Sequence, residues 1–297
     1  MELRLDRGPV VLDGGLSNQL EAAGHRVDDE LWSARLLLDD PQALVAAHGA
    51  YFAAGAQVVI TAGYQASFEG FARRGIGPRG AAELFARSVE LAREAAGGVP
   101  GRWVAASVGP YGAVLADGSE YRGRYGLSVA ELERFHRPRV AALAAAGPDL
   151  LALETVPDVD EAVALLRVVR GLGVPAWLSY TVDGARTRAG QPLERAFAVA
   201  AEVPEVVAVG VNCCAPGEVA EAVRIAARVT GKPVVAYPNS GEGWDGVGWT
   251  GEPSGPAVFA RGWVADGARL VGGCCRVGPE RIAELAAVLA AGSATGR

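Results

Sequence analysis

The chain has 297 residues, half of them hydrophobic and 21% charged, a globular composition with enough apolar mass for a large core. A net charge of −6 and a pI near 5.3 argue against a nucleic-acid or anionic-membrane surface, which would call for a basic patch, and leave a small molecule as the natural substrate. The opening MELRLDRGPVVLDGG has no apolar run of signal-peptide length, and no stretch of about 18 uninterrupted apolar residues suggests a membrane span. The expectation is a cytoplasmic protein with reduced thiols, whose cysteines serve as metal ligands, nucleophiles or core residues.

Short β-branched or apolar runs recur along the chain, each followed by an amphipathic stretch. The spacing predicts strands at Val10–Asp13, Gln57–Thr61, Trp103–Val108, Leu150–Thr155, Ala176–Thr181, Val206–Asn212, Pro233–Tyr237 and Ala268–Gly272. Between and after them it predicts helices at Pro41–Ala54, Arg79–Ala96, Val129–Ala146, Asp158–Gly171, Leu193–Ala201, Gly217–Thr230, Pro256–Asp266 and Gly278–Ala291. Alternation of this kind means βαβ units and a parallel sheet, and eight repeats point to a closed α/β barrel of the (β/α)8 TIM type. The competing architecture is an open doubly wound sheet, but the Gly-rich phosphate loop usual after its first strand is absent. No composition break divides the chain, so residues 1–297 read as one domain. Ser240–Gly251 forms one glycine-rich loop, and the small, polar tail Ala291–Arg297 reads as frayed.

A barrel of this type carries its active site at the C-terminal ends of its strands. Here those ends are chemically rich: Asp13-Gly14-Gly15, Thr61-Ala62-Gly63-Tyr64, Ser107-Val108-Gly109-Pro110-Tyr111, Glu154-Thr155, Thr181, Asn212-Cys213-Cys214, Tyr237-Pro238-Asn239 and Gly273-Cys274-Cys275-Arg276. All four cysteines of the chain fall in two adjacent pairs at the ends of the sixth and eighth strands. Those strands flank the seventh, so their ends lie two strand spacings apart, roughly 10 Å. Inward-pointing thiolates could then share one metal, and zinc with three protein ligands and an open position is the catalytic arrangement. Burial of the cysteines as small hydrophobes, or a strained vicinal disulfide at Cys274-Cys275, would be the alternatives.

The sequence resembles the homocysteine S-methyltransferases. The residues that carry the likeness are Asp13-Gly14-Gly15, Ser107-Val108-Gly109-Pro110, Leu153-Glu154-Thr155, Gly210-Val211-Asn212-Cys213 and Gly272-Gly273-Cys274-Cys275-Arg276, spread over nearly the whole chain. The resemblance implies a (β/α)8 barrel in which Cys213, Cys274 and Cys275 bind Zn2+, with Cys214 outside the motif and left to packing. It also implies that Glu154 takes the amino group of homocysteine and that Asp13, Gly14 and Gly15 form a turn approached by substrate. Asn212 is expected to orient the substrate carboxylate or a zinc ligand.

The chemistry suits these residue types. The thiolate, not the thiol, is the nucleophile, and a metal favours the deprotonated form. Three thiolates around Zn2+ leave a formal charge of −1, so a fourth sulfur bound there stays electron-rich. The expected reaction is direct transfer from an onium donor to homocysteine, giving methionine. None of the three histidines sits at a strand end; His48 and His136 fall in helices and are read as surface or structural residues. Tyr64 and Tyr111, together with Trp32, Tyr121 and Tyr125, could wall a sulfonium site by cation–π attraction. The segment Gly118–Gly123 resembles the S-methylmethionine-using branch of the family, with S-adenosylmethionine as companion donor. A betaine-dependent enzyme, a selenocysteine methyltransferase, and a non-enzymatic zinc-stabilised or thiol redox-sensing barrel are the rival expectations.

Overall fold

The computed structural model describes residues 3, 5, 6, 8–27, 31–244 and 249–294. Eight parallel strands form one sheet: β1 (Val10–Val11), β2 (Val58–Ile60), β3 (Trp103–Val108), β4 (Leu150–Val156), β5 (Ala176–Tyr180), β6 (Val206–Asn212), β7 (Val234–Tyr237) and β8 (Ala268–Val271). β1 pairs with β8, and a parallel bridge from Leu12 to Val58 joins the other side of β1 to β2, so the ring closes as a (β/α)8 barrel. Eight helices alternate with the strands: α1 (Pro41–Ala53), α2 (Pro78–Ala96), α3 (Val129–Ala145), α4 (Val159–Val169), α5 (Leu193–Ala201), α6 (Pro216–Thr230), α7 (Ala257–Ala265) and α8 (Pro279–Ala294).

The apolar runs become strands because each is buried on both faces, as in all parallel sheets covered by helices. One face fills the barrel: Val10, Leu12, Val58, Ala105, Ala152, Trp177, Ala208, Val235 and Leu270 pack there. The other face meets the helices in a second, larger cluster that includes Val11, Val59, Val104, Leu151, Leu178 and Val209. Helix starts obey local chemistry. Asp40 caps α1 through the Ala43 amide at 3.3 Å, and Ser128 and Glu131 form a reciprocal capping box on α3. Proline occupies the first turn of α1, α2 and α6, where its missing N–H costs nothing.

Several features differ from the sequence expectations. The first strand spans two residues, because Leu12 makes only an isolated bridge and Asp13 already turns out of the sheet. Short helices at Leu16–Ala22, Phe68–Arg73 and Tyr111–Leu115 occupy loops at the mouth, and two-residue hairpin strands pair Val182–Asp183 with Arg186–Thr187. The glycine-rich loop after β7 also holds a small hairpin, Gly243–Trp244 against Trp249–Thr250, although residues 245–248 lie outside the described residues. The tail is not frayed from Ala291: α8 continues to Ala294, and residues 295–297 lie outside the described residues. Among the described residues, no helix is long and apolar enough to cross a membrane.

Candidate active site

At the C-terminal mouth the strand ends enclose a cavity of about 250 Å³. Cys213, Cys274 and Cys275 line it together with Gly14, Gly15, Tyr64, Glu154 and Tyr237. The ligand atoms of the three cysteines all lie within 4.8 Å of one another. Cys214 points the other way, buried in the strand–helix core, where desolvation pushes its thiol well above the usual range. The pair lies just past the end of β6 at Asn212, so the positive φ of Cys213 rather than strand alternation sets the two side chains apart.

The backbone fixes the cysteines from three sides. Cys213 has a positive φ of 49°, a conformation that turns the chain abruptly at the end of β6. Its N–H donates to Tyr237 O at 3.3 Å, and its carbonyl accepts the Thr181 hydroxyl at 3.1 Å. Cys274 N–H donates to Pro238 O at 2.7 Å, and the Asn239 carboxamide accepts the Cys275 N–H at 3.2 Å. The turn after β7 thus holds both cysteine segments. Beneath them the first-strand turn is interlocked with the eighth: a Cβ on Gly14 would stand 2.0 Å from Val277 O, so no larger residue fits. Gly15 N–H donates to that same oxygen at 3.0 Å.

The structure joins Cys213 to Cys274 as a disulfide, with Cα atoms 5.6 Å apart. Cys274 and Cys275 are not joined to each other. The reason for the Cys213–Cys274 pairing is geometric: two cysteines brought to one point at this Cα spacing are within the range a disulfide spans. The same convergence, once reduced, gives a three-sulfur donor set of the kind soft and borderline metals choose. The surroundings fit a cation. Burial pushes the Cys275 thiol up to about 11, opposed by a hydrogen bond from Tyr121, and no Arg, Lys or His lines the cavity among the described residues. A divalent ion is the group that would keep these sulfurs ionised at neutral pH.

Glu154 follows Leu153 on β4, just where the β4–β5 register slips. Its neighbour Thr155 has φ 58°, an unusual state for a β-branched residue. Asn212 holds that turn: its Oδ1 accepts the Thr155 N–H at 2.7 Å, and its Nδ2 donates to Thr155 Oγ1 at 2.7 Å. The Glu154 carboxylate accepts the Ser107 hydroxyl on one oxygen and the Tyr237 hydroxyl at 3.1 Å on the other. Tyr237 is fixed in turn by Trp177, whose indole donates to it at 3.0 Å. Ser179 Oγ lies 2.8 Å from the Tyr237 oxygen and 2.7 Å from Asn212 Oδ1, tying the two supports together. Burial raises the Glu154 carboxyl to about 7, although both hydroxyls work against the shift.

Several expected residues sit behind the cavity wall. Asp13 is buried and does not line it; Oδ2 accepts the Ile60 N–H at 2.8 Å, while Oδ1 has no partner. Desolvation, with the charge of Glu154 adding, holds its carboxyl well above the usual range. Asn212 is wholly enclosed and meets the cavity only through Thr155. Of the aromatic residues, Trp32, Tyr64 and Tyr121 line the cavity, whereas Tyr111 and Tyr125 do not. The Tyr111 ring packs on Tyr125 and Phe135, with centroids 5.2 and 4.9 Å away, because the helix that begins at Tyr111 turns it outward. His48 and His136 are buried in α1 and α3, away from the cavity, and His136 Nε2 lies 2.9 Å from Glu161.

A barrel with a three-cysteine cluster at its mouth defines a class, and sequence comparison gives the family. The homocysteine S-methyltransferase family model matches residues 10–289. Homocysteine S-methyltransferase YbgG of Bacillus subtilis is 42% identical, over 95% of each chain, and homocysteine S-methyltransferase of Escherichia coli 44%, over 94% of each. The crystal structure of the Escherichia coli homocysteine methyltransferase MmuM in its metallated form superposes with a TM-score of 0.85 at 42% identity, covering 95% of this chain and 96% of that one. An oxidized form of the same enzyme matches equally well in fold, with a TM-score of 0.85 at 43% identity over 94% and 95% of the chains. The chain belongs to the homocysteine S-methyltransferase family and is a methyltransferase.

Proposed function

We propose that the chain moves a methyl group from a sulfonium donor, S-methylmethionine and more slowly S-adenosylmethionine, to the thiolate of L-homocysteine, giving L-methionine. The observation that carries this reading is the convergence of three thiols and a buried glutamate on one cavity, with no cationic side chain on its wall among the described residues. Cys213, Cys274 and Cys275 are the residues that would hold zinc, which when bound supplies a Lewis acid that favours the deprotonated form of a substrate thiol. A reducing compartment such as the cytoplasm suits that donor set.

The remaining work falls to the chain. Glu154, fixed by Ser107 and Tyr237, accepts the ammonium of homocysteine. Gly14 and Gly15, having no side chains, let the substrate approach the backbone. Asn212 acts through Thr155, whose position on the wall it sets. In the transfer the homocysteine sulfur lone pair forms the new S–CH3 bond. The donor's S–CH3 bond breaks with its electron pair returning to the donor sulfur, so the sulfonium leaves as a neutral thioether. The homocysteine thiol proton passes to solvent. Positioning of the two sulfurs in line is the chain's main contribution, and Trp32, Tyr64 and Tyr121 offer faces to the onium group.

The test is methionine formation by the reduced, zinc-loaded protein with homocysteine and each of three donors. S-methylmethionine should be fastest, S-adenosylmethionine slower, and betaine nearly inert. Preference for betaine would overturn the donor assignment, and absence of transfer from every donor would overturn the reaction itself.

A further inference from the structure

The cavity wall carries a second acid that the homocysteine site does not use. Glu120 lies in the single turn Ser119–Tyr121, after the short helix Tyr111–Leu115, and lines the cavity. Its Oε2 is shut off from solvent and has no hydrogen-bond partner. Glu154 is the contrast, since hydroxyls occupy both of its oxygens. A desolvated acid oxygen without a donor is costly unless a cation or a donor reaches it.

The loop is shaped to deliver this residue. A Cβ on Gly112 would stand 2.4 Å from the Glu120 nitrogen and 2.7 Å from the Ser119 carbonyl carbon, so the turn closes on the helix only because residue 112 is glycine. Asp117 Oδ1 accepts the Ser119 N–H at 2.9 Å, and Gly123 N–H donates back to Ser119 O at 2.9 Å. The next residue, Tyr121, hydrogen-bonds the Cys275 thiol, which sets the turn beside the cysteine cluster.

We propose that Glu120 is the specificity-determining acid for the methyl donor, its carboxylate on the cavity wall supplying the charge that balances the sulfonium. The inference rests on the sulfonium-donor reading above. Homocysteine brings an ammonium, and the donor brings its own ammonium and a sulfonium. The wall carries three acids, of which Glu21 is exposed and accepts from Asn18 at 3.1 Å, leaving Glu154 and Glu120 as the enclosed pair. An ammonium has N–H donors and suits a carboxylate already fixed by a hydrogen-bond network. A sulfonium has no N–H to donate and is attracted by charge alone, which an acid oxygen free of other donors meets best. The attraction also has a direction in time. Positive charge leaves the donor as the methyl departs, so Glu120 binds the donor more strongly than the transition state or the neutral thioether product. It therefore lowers donor KM without raising kcat.

The experiment is steady-state kinetics of zinc-loaded Glu120→Gln with S-methylmethionine varied at saturating homocysteine, and then the reverse. Donor KM should rise roughly tenfold, with kcat equal to or above that of the wild type and with homocysteine KM and zinc content unchanged. Glu120→Asp, which keeps the charge, should recover part of the donor affinity. An unchanged donor KM in Glu120→Gln overturns the proposal while leaving the sulfonium reading intact. Equal rises in both KM values also overturn it, since that pattern marks a displaced loop. A wild-type protein that takes no sulfonium donor removes the reading and the proposal together.

Discussion

Replacing Glu154 by glutamine separates the electrostatic cost of the site from its binding role. In the folded chain burial raises this carboxyl from 4.5 to about 7. An unfolded chain gives up the proton near 4.5, so between that value and 7 the unfolded state binds fewer protons than the folded one. Stability must then fall as pH rises through this window and level off above it. At about 1.36 kcal/mol per pKa unit the loss is about 3 kcal/mol. The substituted amide keeps an oxygen for one of the two hydroxyls and turns its NH2 group to the other, and it has no charge to desolvate. The reduced, metal-free wild type should therefore match Glu154→Gln in stability near pH 4 and trail it by about 3 kcal/mol at about pH 8. Urea unfolding of both proteins at half-unit steps of pH measures the difference, and taking the difference cancels titrating groups that do not interact with Glu154. Homocysteine KM should rise sharply in the same variant, because a neutral amide cannot balance an ammonium. Parallel stability curves across this pH range would refute the reasoning, since they would mean that Glu154 is solvated in the empty cavity.

Two further outcomes follow from the same geometry. After reduction of the Cys213–Cys274 pair the chain should take up one zinc ion. Cys213→Ala, Cys274→Ala and Cys275→Ala should each weaken uptake by more than roughly a hundredfold, and Cys214→Ala should keep it; metal analysis after dialysis decides, and full occupancy in Cys274→Ala sinks the ligand assignment. Asn212→Ala removes the two bonds that hold Thr155 in its left-handed state and one partner of Ser179, so stability should fall by about 3 kcal/mol and homocysteine KM should rise while zinc content stays; an unchanged KM would show that Thr155 keeps its place without help.

The barrel was legible because its signal is repetitive. Each strand is buried on both faces, so each reads as an unbroken apolar run, and helices such as α2 reveal themselves by burying Ala81, Phe85, Val89, Ala92 and Ala96 at helical spacing. Elements of two to seven residues at the mouth lack room for a period, which is why the Leu16–Ala22 and Tyr111–Leu115 helices escaped. That omission misplaced Tyr111: its position after β3 suggests the mouth, but the helix start turns its ring toward Phe135. The supports of Glu154 were hidden differently. Ser107, Ser179 and Tyr237 are polar residues inside apolar strand runs, a visible oddity, but which carboxylate they meet depends on barrel register. Ser107 pairs with Ala152 across β3–β4, and that offset brings its hydroxyl to Glu154. Glu120 offered less still, since its approach depends on the closure over Gly112, a contact between backbone atoms.

The arrangement of charge explains why these residues belong together. The described wall has acids and thiols and no basic side chain, which in an empty cavity is an unfavourable concentration of groups that resist ionisation. Burial lifts the Cys275 thiol to about 11 and the Glu154 carboxyl to about 7. On the proposed reading, every positive charge that enters relieves part of this, whether it is the metal at the three sulfurs, the ammonium at Glu154 or the onium at Glu120. Binding of one cation thus does not oppose binding of the next, as it would on a basic wall, because each meets its own acid. The charge that the proposed reaction consumes is the one on the donor sulfur. Under the Glu120 proposal its disappearance leaves that acid without a counter-charge, so the site would favour release of the neutral thioether and capture of the next sulfonium, while the charges at Glu154 and at the three sulfurs would be unchanged by the transfer.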